Sequence, residues 1–378
     1  MKALVLEDIA SFQVRDIPKP APKPSEVLVR VGAVGICGTD LHIFHGLANY
    51  NRDSRGQPVP LKQHPQVLGH EFCGQIEAVG SQVRRCKPGD HVVVDQVLSC
   101  RSQARSPVCE YCESGDSHQC EFGQELGITG LPGAFAEFIR VPEANTVVLP
   151  ADMSLIQSAL VEPLGCVLHA SDRMEKAAGR YTFDGRYRIR RILILGAGPS
   201  GLLFLQHLRK IRRFDGDIFV ADMRDDKLAL ARKLGGTPLD VRSVDLTAEI
   251  SDRTHGERIE YLIEATGSGT VFDWIPSLIR RQSTVLLYGA GHSGRDIGCL
   301  TAFQASEINI VTSGGASGGF DPDGTPTTYR QSMEYIHRRE INVECLVSHR
   351  YTDLAQLPAA FAYDSRLDNF IKGALVLP

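Results

Sequence analysis

The sequence predicts an α/β protein in which a β-rich domain is interrupted by a doubly wound parallel-sheet domain. Three observations lead there. Short β-rich runs punctuated by Gly and Pro fill the chain from Met1 to about Pro150; apolar strands alternate with helical spacing from Ser158 to Leu300; shorter mixed elements return after Thr301. At 378 residues the chain has room for two domains. The expected division is therefore 1–157, then an inserted domain over 158–300, then 301–378 packing back on the first, with a cysteine-rich lobe at 98–122.

"MKALVLED" has one positive charge but neither a long apolar run nor a small-residue cleavage site, so it reads as an opening strand rather than a secretory signal. "EVLVRVGAVG", "EFCGQIEAVG", "GDHVVVD" and "FAEFIRVP" are short, closely spaced strands, which argue for a compact all-β or barrel-like domain. The grammar then changes. "RRILILGAG" is apolar without alternation, as suits a strand buried on both faces, and "PSGLLFLQHLRKIRR" follows with helical spacing. "DIFVAD" is a strand and "RDDKLALARKLGG" a helix ending at glycine; "IEYLIEATG", a helix-like stretch to Arg281, and "STVLLYGA" repeat the alternation. Beyond Thr301, "TYRQSMEYIHRRE" reads as a helix and "NFIKGALVL" as a closing strand. Gly314 to Gly324 is nearly all turn residues, and a mobile loop is expected there.

Composition excludes several function classes. Hydrophobic residues at 43%, charged residues at 23% and a formal charge of −4 are ordinary for a soluble globular protein and build no field for nucleic acid. The arginine doublets beginning at Arg84, Arg190, Arg212, Arg280 and Arg338 are scattered, which predicts solvated faces. No stretch approaches the roughly 20 apolar residues of a membrane span. Ten cysteines without an export signal predict a reducing, cytoplasmic setting where thiols bind metal or pack rather than form disulfides.

Gly196, Gly198 and Gly201 stand in G-x-G-x-x-G spacing directly after a buried strand and at the opening of a helix. That order suits a tight turn, close approach of backbone to a pyrophosphate, and helix–strand contact, with the helix N-terminus facing the phosphates. Pro199 and Ser200 inside the turn and Thr266 in "IEYLIEATG" join the candidate set. Asp222, 21 positions past Gly201 at the end of the second strand, would accept hydrogen bonds from the adenosine ribose and repel a 2′-phosphate. NAD is favoured over NADP on this ground, and Arg224 keeps NADP open.

A lone Cys37 in "VGICGTDLHIFHG" is ordinarily packing, and His70–Glu71 in "VLGHEFCG" is ordinarily a turn or a packed histidine. Their joint value comes from Glu162 in "ALVEPLGCVLHA", an apolar stretch where a carboxylate is costly unless a cation compensates it. Thiolate, imidazole and carboxylate are a ligand set for Zn²⁺, and three protein ligands leave a fourth position open. Separately, Cys100, Cys109, Cys112 and Cys120 in "CRSQARSPVCEYCESGDSHQC" suit a closed tetrahedral structural zinc.

Together "GICGTDLH", "LGHEFCG", "KPGDHVVV", the cysteine lobe, "AFAEFIRVP", "VEPLGCVLHA" and "LGAGPSG" resemble the zinc-containing medium-chain dehydrogenases, in particular their polyol branch, with threonine dehydrogenases close by. The resemblance covers almost the whole chain. It implies a GroES-like catalytic domain built from both chain ends around a Rossmann domain, and commonly a homo-oligomer, a dimer or tetramer. It implies reversible oxidation of a secondary hydroxyl of a polyol or sugar, with hydride passed to NAD. Cys37 and His70 would hold the catalytic zinc, while of Glu71 and Glu162 one would bind the metal and the other its water. Thr39 would hydrogen-bond the reacting hydroxyl, His42 would extend a proton relay, and Lys227 would touch the adenosine ribose.

Three departures from that pattern stand out. Eight residues separate Cys100 from Cys109, which makes Cys100 the least secure lobe ligand; insertions stand at 49–63 and 178–190. Tyr50 and Arg52 of the first insertion are expected to reach further substrate hydroxyls. Threonine 3-dehydrogenase, suggested by "CGTDLHIF", and a sugar dehydrogenase acting on an anomeric hydroxyl remain alternatives. A non-catalytic nucleotide-binding protein is the remote one.

Overall fold

The structure, a computed structural model, describes residues 1–292, 299–316 and 319–378. Its contacts divide the chain into two compact units, Met1–Cys166 with Gly315–Pro378, and Val167–Gly314. The expected boundaries at 157/158 and 300/301 fall elsewhere. The first shifts because the helix Val161–Lys176 runs across the division, its first turn belonging to one unit and the remainder to the other. The second shifts because the strand Asn309–Thr312 completes the parallel sheet, beyond the last strand that periodicity reveals.

In the first unit the strands Thr146–Val148, His91–Val94, Glu71–Val79, Glu26–Gly35, Lys372–Val376 and Val347–Tyr351 are hydrogen-bonded in that order, and Phe138–Pro142 pairs with the first half of Glu26–Gly35. A smaller sheet joins Ser11–Asp16, Lys2–Asp8 and Gln66–Val67. Between them lies an apolar core with Leu4, Val29, Phe72, Val92, Phe135 and Phe361 at its centre. Strand register gathers distant segments. Gly35 faces Glu71 on one side and Ala374 on the other, so the ends of three strands far apart in sequence meet at one place.

In the second unit six parallel strands run in the order Thr237–Asp240, Asp217–Asp222, Arg191–Leu195, Ile259–Glu264, Ile279–Leu287 and Asn309–Thr312. Numbered along the chain this is the 3-2-1-4-5-6 order of a doubly wound dinucleotide-binding sheet, with its switch point between the Arg191–Leu195 and Ile259–Glu264 strands. The apolar runs are buried on both faces as such strands require; Ile192, Leu193, Ile194 and Leu262 are all inaccessible.

Three local expectations are corrected. The helix-like stretch before Arg281 ends at Leu278, since the β-branched Ile279 already opens the next strand. The arginine doublets are not all solvated: Arg191 and Arg280 converge on the buried carboxylate of Glu260. Of the expected mobile loop, Ser317 and Gly318 lie outside the described residues, while Asp321 accepts hydrogen bonds from Gly324 N and Thr327 Oγ1 and pairs with Arg330.

Candidate functional site

Cys37 follows the Glu26–Gly35 strand and caps the short helix Gly38–Phe44; His70 and Glu71 follow a turn at Gly69, whose φ of +93° favours glycine. Asp40, fully buried, ties these segments together. One carboxylate oxygen accepts from Cys37 N at 3.0 Å; the other accepts from Gly69 N at 3.2 Å and lies 3.3 Å from His70 Nδ1. With Nδ1 facing the carboxylate, Nε2 is the nitrogen left to act as a ligand. Burial disfavours a charged His70, but the adjacent Asp40 and Cys37 outweigh it and hold the imidazole above its ordinary range.

Donor atoms of Cys37, His70 and Glu71 all lie within 4.8 Å of one another. His70 and Glu71 are buried and Cys37 is half-buried, so a metal here would meet both protein and solvent. Glu71 is also held by Lys372, whose ammonium lies 2.9 and 2.7 Å from its two oxygens and donates to Ile36 O at 3.1 Å. Lys372 is 3% exposed. Burial opposes its charge, yet Glu71 and Cys37 raise its pKa. Gly35 is glycine for this pair: a Cβ there would stand 2.0 Å from Glu71 Oε2 and 3.2 Å from Lys372 Cε.

Glu162 stands outside the three-residue donor group. Its Oε1 accepts from Gln96 Nε2 at 3.0 Å and from Cys166 Sγ at 3.1 Å. Burial first, and Glu71 beside it, push its carboxyl up to about 7 against the pull of His70. Thr39 and His42 sit half-buried one turn apart on the helix after Cys37, and burial lowers the His42 pKa. Arg52 is exposed, and one nitrogen of its guanidinium donates to Gly56 O inside its own loop. Tyr50 remains available, partly exposed, its pKa raised by burial, Glu125 and Cys37.

The lobe thiols form a second group, again within 4.8 Å. Cys100 takes full part: its Sγ lies 3.6 Å from Cys120 Sγ, and Cys109 Sγ lies 3.8 Å from Cys120 Sγ. Four sulfurs at about 2.3 Å from a tetrahedral zinc stand about 3.8 Å apart, so the spacing fits that ion. The eight residues after Cys100 close back on themselves through Arg105 N to Cys100 O, which is how the longer spacing is accommodated. Burial raises the Cys109 thiol, but the N–H groups of Cys112 and Glu121 outweigh it and bring it to about 6, toward the thiolate a metal needs.

In the second unit the glycine turn opens the helix Pro199–Gln206. Gly196 has a φ of +99°, and a Cβ at Gly201 would collide with Gly196 O at 1.9 Å, so both are demanded by the fold. Gly198 is different: a Cβ there would meet no protein atom within 4 Å. Its lack of a side chain instead leaves a cradle for a phosphate approaching the helix N-terminus. Asp222 is tied to this turn, accepting from Ala197 N at 2.7 Å and from Met223 N and Arg224 N at 2.8 and 3.0 Å. Lys227 lies close enough for Asp222 to support its charge against burial. Thr266 donates to the buried Glu264 and packs its methyl beside Gly196.

Residues 23–151 match the model of the alcohol dehydrogenase GroES-like domain, and residues 156–297 that of the glucose dehydrogenase C-terminus. Sorbitol dehydrogenase of Bacillus subtilis is 30% identical over 356 residues, covering 93% of this chain and 90% of that one. The chain belongs to the zinc-containing medium-chain dehydrogenase family. L-threonine 3-dehydrogenase of an Anaeromyxobacter species is 30% identical over 76% of this chain and 77% of its own. The structure of galactitol-1-phosphate dehydrogenase from Escherichia coli shares the fold, with a TM-score of 0.80, 23% identity and coverage of 100% of both chains.

This medium-chain dehydrogenase carries site residues that sequence reasoning did not single out: Asp40, Gln96, Tyr329 and Lys372. Only Asp40 left a trace, as an acid three positions after Cys37 in a helix whose inner face is apolar. No helix among the described residues is long and apolar enough to cross a membrane.

Proposed function

We propose that this chain is a zinc-dependent dehydrogenase that reversibly oxidises a secondary hydroxyl of a polyol or sugar, with NAD as the hydride acceptor. The reading is carried by the convergence of Cys37, His70 and Glu71 donor atoms within 4.8 Å, from segments more than 30 residues apart. A zinc ion held there supplies Lewis acidity, lowering the pKa of a hydroxyl at its open position, as it lowers that of water to about 7 in favourable sites. Gly196, Gly198, Gly201 and Asp222 would hold NAD at the glycine turn, and the bound cofactor would supply the hydride acceptor.

The remaining work falls to the chain's own residues. Asp40 fixes the ring orientation of His70 and anchors Cys37, so two donors are set before any metal arrives. Lys372 places a cation beside the buried Glu71 carboxylate. Thr39 receives the substrate hydroxyl's proton, and His42, one turn on and held neutral by partial burial, passes it toward solvent. Glu162, at the position where its carboxylate faces His70 and Glu71 electrostatically, favours hydroxyl-rich substrates through a second hydrogen bond. Asp222 selects NAD, since a 2′-phosphate beside its carboxylate would be repelled.

The test is metal content followed by a substrate panel. The purified enzyme should hold two zinc per chain and reduce NAD with sorbitol or xylitol. Activity on L-threonine alone would remove the polyol reading, and one zinc per chain with no activity would favour a nucleotide sensor.

A further inference from the structure

Glu162 is held by a buried relay that no motif announces. Gln96 is 2% exposed and Tyr329 1%; the Tyr329 hydroxyl hydrogen-bonds Gln96 Oε1, and Gln96 Nε2 donates to Glu162 Oε1 at 3.0 Å. In the structure the Gln96 NH₂ group faces the Glu162 carboxylate and the Tyr329 hydroxyl donates to the amide oxygen, so donor meets acceptor at both ends of the relay. Cys166, one turn along the helix, donates to the same oxygen at 3.1 Å.

We infer that Gln96, anchored by Tyr329, is a positioning residue that keeps the Glu162 carboxylate out of the metal's coordination shell and so leaves the fourth position to a hydroxyl ligand. This rests on the zinc reading of the Cys37 site. It accounts for a geometric fact: Glu162 is close enough to act electrostatically on the Cys37–His70–Glu71 group, yet it is not one of the converging donors. Two donors already occupy Oε1. Oε2 is then the oxygen that would be left to hold a water or hydroxyl rather than the ion itself.

The experiment uses the full-length protein with cobalt(II) at the Cys37 site, zinc retained in the lobe, and the spectrum of Cys37→Ser subtracted. Azide is the probe for the open position. Gln96→Met removes the donor with little change in volume. Glu162 is then expected to take the fourth position on the cobalt in place of water, shifting the visible bands with the changed donor set, and azide affinity should fall about tenfold as the carboxylate competes. The double variant Gln96→Met with Glu162→Gln should recover the wild-type spectrum and azide affinity.

Tyr329→Phe keeps the amide but removes its anchor, and should move both readouts in the same direction by about fivefold or less, the ratio one neutral hydrogen bond supports. A folded Gln96→Met, or a folded Tyr329→Phe if the first does not fold, with unchanged spectrum and azide affinity overturns the inference. Absence of any Cys37-dependent cobalt signal in the wild-type chain is a separate result, and it would sink the zinc reading instead.

Discussion

Replacing Lys372 with methionine should destabilise the metal-free protein severely and the zinc-loaded protein only slightly. Lys372 and Glu71 are 3% and 1% exposed and in contact at 2.7 Å, so methionine would leave a carboxylate buried without its cation. Breaking a buried pair from one side costs about 3–5 kcal/mol. At about 2–4 °C per kcal/mol for a unit of this size, the metal-free midpoint should drop by roughly 6–20 °C.

Zinc changes that outcome, because Glu71 lies within 4.8 Å of the Cys37 and His70 donor atoms and can turn to the ion. The drop in the zinc-loaded form should then stay below about 5 °C, since the buried carboxylate regains a cation. Adding Glu71→Gln to Lys372→Met should recover most of the metal-free loss by removing the orphaned charge. Differential scanning calorimetry of wild type, both single variants and the double variant, with and without chelator, measures all of this. Equal drops in the loaded and metal-free forms would refute the reasoning, for then Glu71 has no access to the metal and its lysine is merely structural.

Two further outcomes concern the second unit. Asp222→Ala removes both the proposed ribose acceptor and the tie to Ala197 N, and titration calorimetry should show the NAD-to-NADP affinity ratio falling about 10- to 100-fold, the scale of one charged hydrogen bond. His207 is 5% exposed, and burial lowers its pKa to about 4 from an ordinary 6.5. The unfolded chain therefore takes up this proton first as pH falls, and the folded state loses stability through the window from about 6.5 down to 4. At pH 4.5 the loss from this residue alone comes to about 2–3 kcal/mol. His207→Gln should abolish that share, so urea midpoints of variant and wild type should diverge at pH 7.5 and 4.5 by different amounts; parallel midpoints would count against it.

Most of the fold was legible because its signals are local. A glycine turn between a doubly buried strand and a helix needs about a dozen consecutive residues, and "RRILILGAGPSG" contains them all. The alternation beyond it is likewise local, although it stops being readable where Asn309–Thr312, half-exposed at the sheet edge, loses the apolar run that marks its neighbours. The domain junction was not legible for the opposite reason: Val161–Lys176 is one uninterrupted helix, and nothing in its spacing marks where its contacts change unit.

The candidate site divides in the same way. Cys37, His70, Glu71 and the lobe thiols are residue types whose chemistry is conspicuous at any position, so a short motif suffices to nominate them. Lys372 is not. Its partner is 301 positions away, and a lysine before "GALVL" reads as a solvated strand end until the register sets it beside Glu71. Gln96 carries no charge and sits in a short link between two strands, where an amide is unremarkable.

Gly35 shows what connects these cases. In "EVLVRVGAVG" it reads as punctuation ending a strand, yet its φ is not positive and no turn requires it. What requires it is the pair that crosses its face: the Glu71 carboxylate occupies the volume a methyl group would fill, and Lys372 lies just beyond. Alanine there would have to displace a buried ion pair rather than a flexible surface chain. The absent side chain at position 35 and the charges at 71 and 372 are thus one feature of the site, distributed over three strands, and only the antiparallel register that brings those strands together makes it readable.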